Sequence, residues 1–135
     1  MDSTSPVPDA LPQEDETWQG QYFNISFNEE HPLWFACITH PDSDLILAHQ
    51  LHEKNPSTGW LWDTLLLAMQ NTLSGKPYRP TRLHVRPDKL WEQLKSRLKR
   101  VGIRLVAVDE LELVDGFPEL VNRIFVEWDN KHGNY

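Results

Sequence analysis

The 135-residue sequence predicts one α/β domain on a mixed five-stranded sheet, with elements in the order βββαβαβα. Three observations predict it. Five short stretches are strand-like, alternating with period two or apolar throughout, and three longer ones repeat apolar residues at spacings of three and four. The first three strands follow one another through turns alone, whereas the fourth and fifth are each reached through a helix. Hairpin links make antiparallel neighbours and helical crossovers make parallel ones, so the sheet must be mixed. The length suits one domain, and a hydrophobic share of 39% with 24% charged residues suits a folded core.

Residues 1–17 hold Pro6, Pro8 and Pro12, five acids and no aromatic residue, so they read as a disordered acidic leader. The domain is expected over 18–130, with a frayed tail at 131–135. In Trp18–Phe27, Phe23, Ile25 and Phe27 alternate with Tyr22, Asn24 and Ser26, the pattern of a half-buried strand. Leu33–Thr39 is apolar on both faces and reads as an inner strand. His40-Pro41-Asp42-Ser43-Asp44 is a turn, and Asp44–His52 returns with Leu45, Leu47 and Leu51 on one face.

Ser57 or Thr58 caps the first helix, whose stripe is Trp62, Leu65, Leu66, Met69 and Leu73, and Gly75 and Pro77 end it. Thr81–Arg86 alternates, with Leu83 and Val85 inward and Arg82, His84 and Arg86 outward. Asp88 caps a second helix carrying Leu90, Leu94, Leu98 and Val101, which stops at Gly102. Ile103–Val108 is the fifth strand. A last helix opens at Pro118-Glu119 with Leu120, Val121, Ile124, Phe125 and Trp128 on one face.

Composition narrows the compartment. Cys37 is the only cysteine, so no internal disulfide forms, and its apolar setting suits a small buried side chain. The N-terminus carries no basic region or apolar stretch of a secretory signal, and no apolar run approaches the length of a membrane span. A cytoplasmic location is the expectation, and there the Asn24-Ile25-Ser26 glycosylation pattern is idle. The six Trp suit an aromatic-rich core.

The net charge of −7 is unevenly spread. Residues 76–104 hold ten of the thirteen basic side chains and only Asp88 and Glu92 as acids. The segment is therefore strongly cationic within an otherwise anionic chain, a polarised surface if the fold gathers it on one side. The candidate contact residues are Tyr78, Arg79, Arg82, Arg86, Lys95, Arg97, Lys99 and Arg100. A helix face neutralised by the protein's own acids, or the acidic leader folded back onto it, accounts for the same pattern.

From Leu33 to Val108 the chain reads as hairpin strands, a capped helix ending at Gly75-Lys76-Pro77, and the strand Thr81-Arg82-Leu83-His84-Val85. A second helix and Gly102-Ile103-Arg104-Leu105 follow. This run resembles the ribonuclease-H-like fold of ribonuclease H, retroviral integrases and transposases, over somewhat more than half the chain. The order is also similar to small bacterial domains of unknown function, which bring no activity with them. The nuclease resemblance implies clustered carboxylates holding two divalent metals. Asp88 is placed like the second acid of that cluster and Asp63 like the acid of the first helix. Yet the first strand offers Tyr22, Asn24 and Ser26 where an acid is required, and Asp88 already serves as a helix cap.

No Cys-x-x-Cys, Gly-rich phosphate loop or nucleophile elbow stands in the sequence, so no cofactor, metal or catalytic residue is assigned. His49 and His52 are three apart and point to opposite faces if their segment is a strand. His31 and His40 flank turns, the latter with Asp42 and Asp44 nearby. The leading expectation is a non-enzymatic interaction module that docks an acidic protein partner through residues 76–104. A nucleic-acid-binding protein on a degenerate ribonuclease-H-like fold is the alternative, and a metal-dependent nuclease the third.

Overall fold

A computed structural model describes residues 11–25, 32–43, 45–72 and 74–109. The strands are β1 (Gln13–Asn24), β2 (Trp34–His40), β3 (Leu45–His52), β4 (Arg79–Val85) and β5 (Arg104–Ala107). The helices are α1 (Thr58–Gln70), between β3 and β4, then α2 (Lys89–Gln93) and α3 (Lys95–Arg100), between β4 and β5. The sheet order is β3-β2-β1-β4-β5. β1, β2 and β3 pair antiparallel, while β4 is parallel to both β1 and β5, so the expected mixed sheet is what forms.

The order of elements matches expectation, and four details differ. β1 begins at Gln13, five residues before the predicted start, so Gln13–Thr17 is strand rather than leader. Its local composition opposes order, and the pairing is tertiary: Arg79 donates its backbone N–H to the Pro12 carbonyl at 2.9 Å. Pairing with β4 slips between Glu14 and Thr17, and the Thr81 hydroxyl stitches the irregularity by bonding Asp15 Oδ1 at 3.0 Å and the Glu16 carbonyl at 3.1 Å.

The second difference is parity. Register places Trp18, Gly20 and Tyr22 on one face with Ala36, Ile38, Leu83 and Val85, and most of these join α1–α3 in the main core. Phe23 stands on the other face, its ring 5.4 Å from that of Phe35. β1 is thus covered on both sides in its central part, as an inner strand is.

Third, Leu45 is exposed, while a bulge opposite Ile38 and Thr39 turns Leu47 into the core. The bulge frees the Leu47 carbonyl, which accepts from Asn71 Nδ2 at 2.7 Å just beyond α1. Fourth, the predicted second helix is divided at Leu94 into α2 and α3, and Leu94 remains 2% exposed in the core. Leu98 N still bonds the Leu94 carbonyl at 2.8 Å, so the stripe Leu90, Leu94, Leu98 keeps its direction.

Ser57 caps α1 as expected, accepting from Trp60 N at 3.2 Å, a contact worth about 1 kcal/mol. Trp60 and Leu61 extend the buried stripe N-terminally. Gly102 has φ +78°, the left-handed stop predicted for it. The predicted last helix from Pro118, the tail, and residues 1–10 lie outside the described residues. None of the described helices is long and apolar enough to cross a membrane.

Candidate functional site

β1 and β4 run parallel, but the chain leaves them in opposite directions: β1 leads to β2, and β4 leads through α2 and α3 to β5. Such a divergence opens a crevice at the carboxyl ends of the strands, where open α/β sheets gather their ligands. A cavity of about 310 Å3 lies there, lined by Gln21, Tyr22, Trp34, Arg86, Pro87, Asp88 and Trp91.

Its centre is a tyrosine–carboxylate pair. The Tyr22 hydroxyl lies 2.8 Å from each Asp88 oxygen and donates to the carboxylate. The same carboxylate caps α2, accepting from Leu90 N at 2.9 Å and Trp91 N at 3.4 Å. Burial holds the Tyr22 phenol well above the usual tyrosine range, and the hydrogen bond to and charge of Asp88 add to it. Tyr22 is therefore a neutral donor at neutral pH. Asp88 is committed to three donors.

The residues at this place do not fit a metal pair. A two-metal site needs carboxylates facing one another, and β1 presents a phenol to Asp88 instead. Asp63 is exposed on α1. Among the described residues no three His, Cys, Asp or Glu side chains are grouped for a metal. His40 is engaged locally, with Nδ1 2.8 Å from Ser43 Oγ and Nε2 3.6 Å from Glu16 Oε1. His52 stacks on Trp60 at 5.4 Å and His49 on Phe35 at 6.0 Å, while His31 lies outside the described residues. Cys37 is buried, which pushes its thiol up to about 12 and leaves no thiolate for nucleophilic chemistry.

The basic segment does not form the single face expected of it. Tyr78 is buried, bonds Glu16 Oε1 at 2.8 Å and packs its ring 5.9 Å from that of Trp18. Arg79 is a structural tie, donating from Nε to the Leu11 carbonyl at 3.0 Å and from Nη1 to that of Val101. Arg82 pairs with Asp15 at 3.1 Å and donates to Thr17 Oγ1 at 2.8 Å. The acidic stretch read as leader thus neutralises this part, because β1 lies against β4. Arg86 is exposed at the crevice.

The four remaining candidates are gathered on α3. Lys95, Arg97, Lys99 and Arg100 are all exposed, and the Arg97 guanidinium lies over the Trp62 ring, 4.2 Å from its centroid. Lys95 and Lys99 also border a groove of about 610 Å3 along Gly102–Ala107, with Arg104 on its strand side. Arg104 is an exposed cation at the start of β5 that the list of candidate contact residues omitted, since a lone strand Arg carries no periodic signal. Tyr22 was missed for a related reason: its partner is 66 residues away.

A family model described as a domain of unknown function, DUF6930, matches residues 9–120. The chain belongs to that family. No curated protein matches it. Among solved structures it is similar to a chain of the simian T-cell lymphotropic virus intasome in complex with the PP2A regulatory subunit B56 gamma. That match has a TM-score of 0.68 at 13% identity, covering 93% of this chain and 44% of the other, so this chain spans less than half of that one. The HTLV-2 integrase catalytic core domain in complex with magnesium matches in a trimeric form (TM-score 0.67, 13% identity, 93% and 78% coverage). Its dimeric form matches similarly (0.65, 13%, 93% and 79%). The fold of this DUF6930 member is therefore ribonuclease-H-like, as the order of elements implied. The likeness concerns fold alone.

Proposed function

We propose that this domain is a non-catalytic nucleic-acid-binding module that holds a phosphate backbone along α3 and β5. The observation that carries it is the convergence of Lys95, Lys99 and Arg104 on one groove, with Arg100 exposed on the same helix. Lys89, Lys95, Arg97, Lys99, Arg100 and Arg104 face Glu92 alone within residues 89–104. Phosphate binding needs such a ridge more than it needs overall basicity. Both forms of the HTLV-2 integrase catalytic core that share the fold are described in complex with magnesium; here Asp88, which the resemblance places like the second acid of a metal cluster, is bonded to the Tyr22 hydroxyl, and this supports binding without cleavage.

The test is electrophoretic retardation of DNA and RNA across a salt series. With Lys95, Lys99, Arg100 and Arg104 on phosphates, log affinity falls against log salt with a slope of about −3 to −4. Reversing Lys95 and Lys99 to Glu lowers affinity for every sequence alike and flattens that slope by about two. Failure to retard any nucleic acid at low salt removes the proposal.

A second reading, an acidic protein partner on the same ridge, is favoured by one observation: among the described residues β5 ends the sheet order, where an extended peptide can add as a strand. Retention of a protein partner by the wild type, lost when Arg97 and Arg100 are reversed to Glu, with no nucleic-acid binding by either, selects it. Location in the cytoplasm belongs with either reading.

A further inference from the structure

We infer that the crevice at the carboxyl ends of β1 and β4 is a pocket for one unpaired nucleobase of a single-stranded nucleic acid. The inference rests on the nucleic-acid reading for its source of bases, but its evidence is separate. Tyr22 and Trp34 give the pocket an aromatic wall, their rings lying 6.2 Å apart and tilted by 47°, with the buried Trp91 beneath them. Aromatic walls are what bases stack upon, whatever their sequence.

The polar groups specify the rest. Trp34 Nε1 and Trp91 Nε1 are both buried, and among the described residues neither meets an acceptor. Trp91 as a whole is 1% exposed, so solvent does not relieve it. Two donors without acceptors call for a ligand bearing carbonyl oxygens or ring nitrogens. The Asp88 carboxylate on the same wall opposes a free anion and accepts from N–H groups, and the Gln21 amide serves either way. A neutral, flat heterocycle with donors and acceptors on its edge answers all three demands. The volume, about 310 Å3, is at the lower end for small-ligand pockets, enough for one such ring system and too little for a base pair.

Gly20 shows that the back wall is built to close tolerance. Its missing Cβ would stand 2.9 Å from Trp91 Cη2 and 3.2 Å from Ile38 Cδ1, so only glycine lets the Trp91 ring lie down against β1. The Asp88 cap holds the start of α2, and with it Trp91, in register.

The test compares a single-stranded oligothymidylate with a strand of the same length that is abasic at every position, read by tryptophan fluorescence on the full chain. The normal strand is expected to bind about tenfold more tightly, the effect of one base–aromatic stack. Trp34→Leu should remove that preference while leaving binding of the abasic strand unchanged. Because the abasic strand requires no protein variant, a misfolded Trp34→Leu does not obscure the result. Equal affinity for the two strands overturns the pocket and leaves the phosphate-binding module standing. Thymidine alone quenching the tryptophans, with the strands bound equally, overturns the strand as the source. Binding of neither strand ends both proposals.

Discussion

Asp88 shows how much one side chain is asked to hold. Its two oxygens accept from the Tyr22 hydroxyl, Leu90 N and Trp91 N, tying β1 to the first turn of α2. Asp88→Ala deletes a helix cap, worth about 1 kcal/mol, and leaves the Tyr22 hydroxyl without its acceptor, about 1–3 kcal/mol more where water cannot reach it. We expect a lowered denaturant midpoint with an unchanged slope, and a markedly smaller loss for Asp88→Asn, which still caps and still accepts. The sequence made the cap legible because Asp before an apolar-periodic run is a local signal. Its second partner was not, because nothing local links Tyr22 to a residue beyond β4.

Elements were legible where their pattern is self-contained. β4 reads correctly from Leu83 and Val85 alternating with Arg82 and His84, and α1 from its Ser57 cap and apolar stripe. β1 does not, because Gln-Glu-Asp-Glu-Thr at 13–17 has the composition of a disordered chain and becomes strand only against β4. The charges of β4 misled for the same reason: Arg79 and Arg82 are consumed by β1 and by loop carbonyls, so the basic ridge shrinks to α3 and the start of β5. Packing between β1 and α2 gives a sharper prediction. Gly20→Ala places a methyl group 2.9 Å from Trp91 Cη2 with Ile38 behind it, and should cost about 1–3 kcal/mol by overpacking. Thermal unfolding checks this, and a simultaneous Trp91→Phe should recover part of the loss.

For the molecule as a whole, polarity of charge and pH response meet at His84. Burial lowers its pKa from 6.5, and the neighbouring Arg82 guanidinium lowers it further. The unfolded chain therefore takes up this proton before the folded one does. The stability contributed is complete above 6.5 and declines as pH falls from there towards the lowered folded value. Denaturant midpoints measured on either side of 6.5 should show this decline, and His84→Gln should remove its share of it. Replacement leaving the profile unchanged would show that other groups set it.

The parallel pairing of β1 with β4 also governs how the chain comes into being. During synthesis β1, β2 and β3 emerge first and can form their meander, but the other side of β1 waits for residues more than sixty positions later. Until then a half-built sheet presents a bare edge to every other nascent chain, the usual route to misassembly. Glu14, Asp15 and Glu16 stand on that edge. The acids that first suggest disorder act as gatekeepers, repelling copies of themselves until β4 arrives and Arg82 pairs with Asp15.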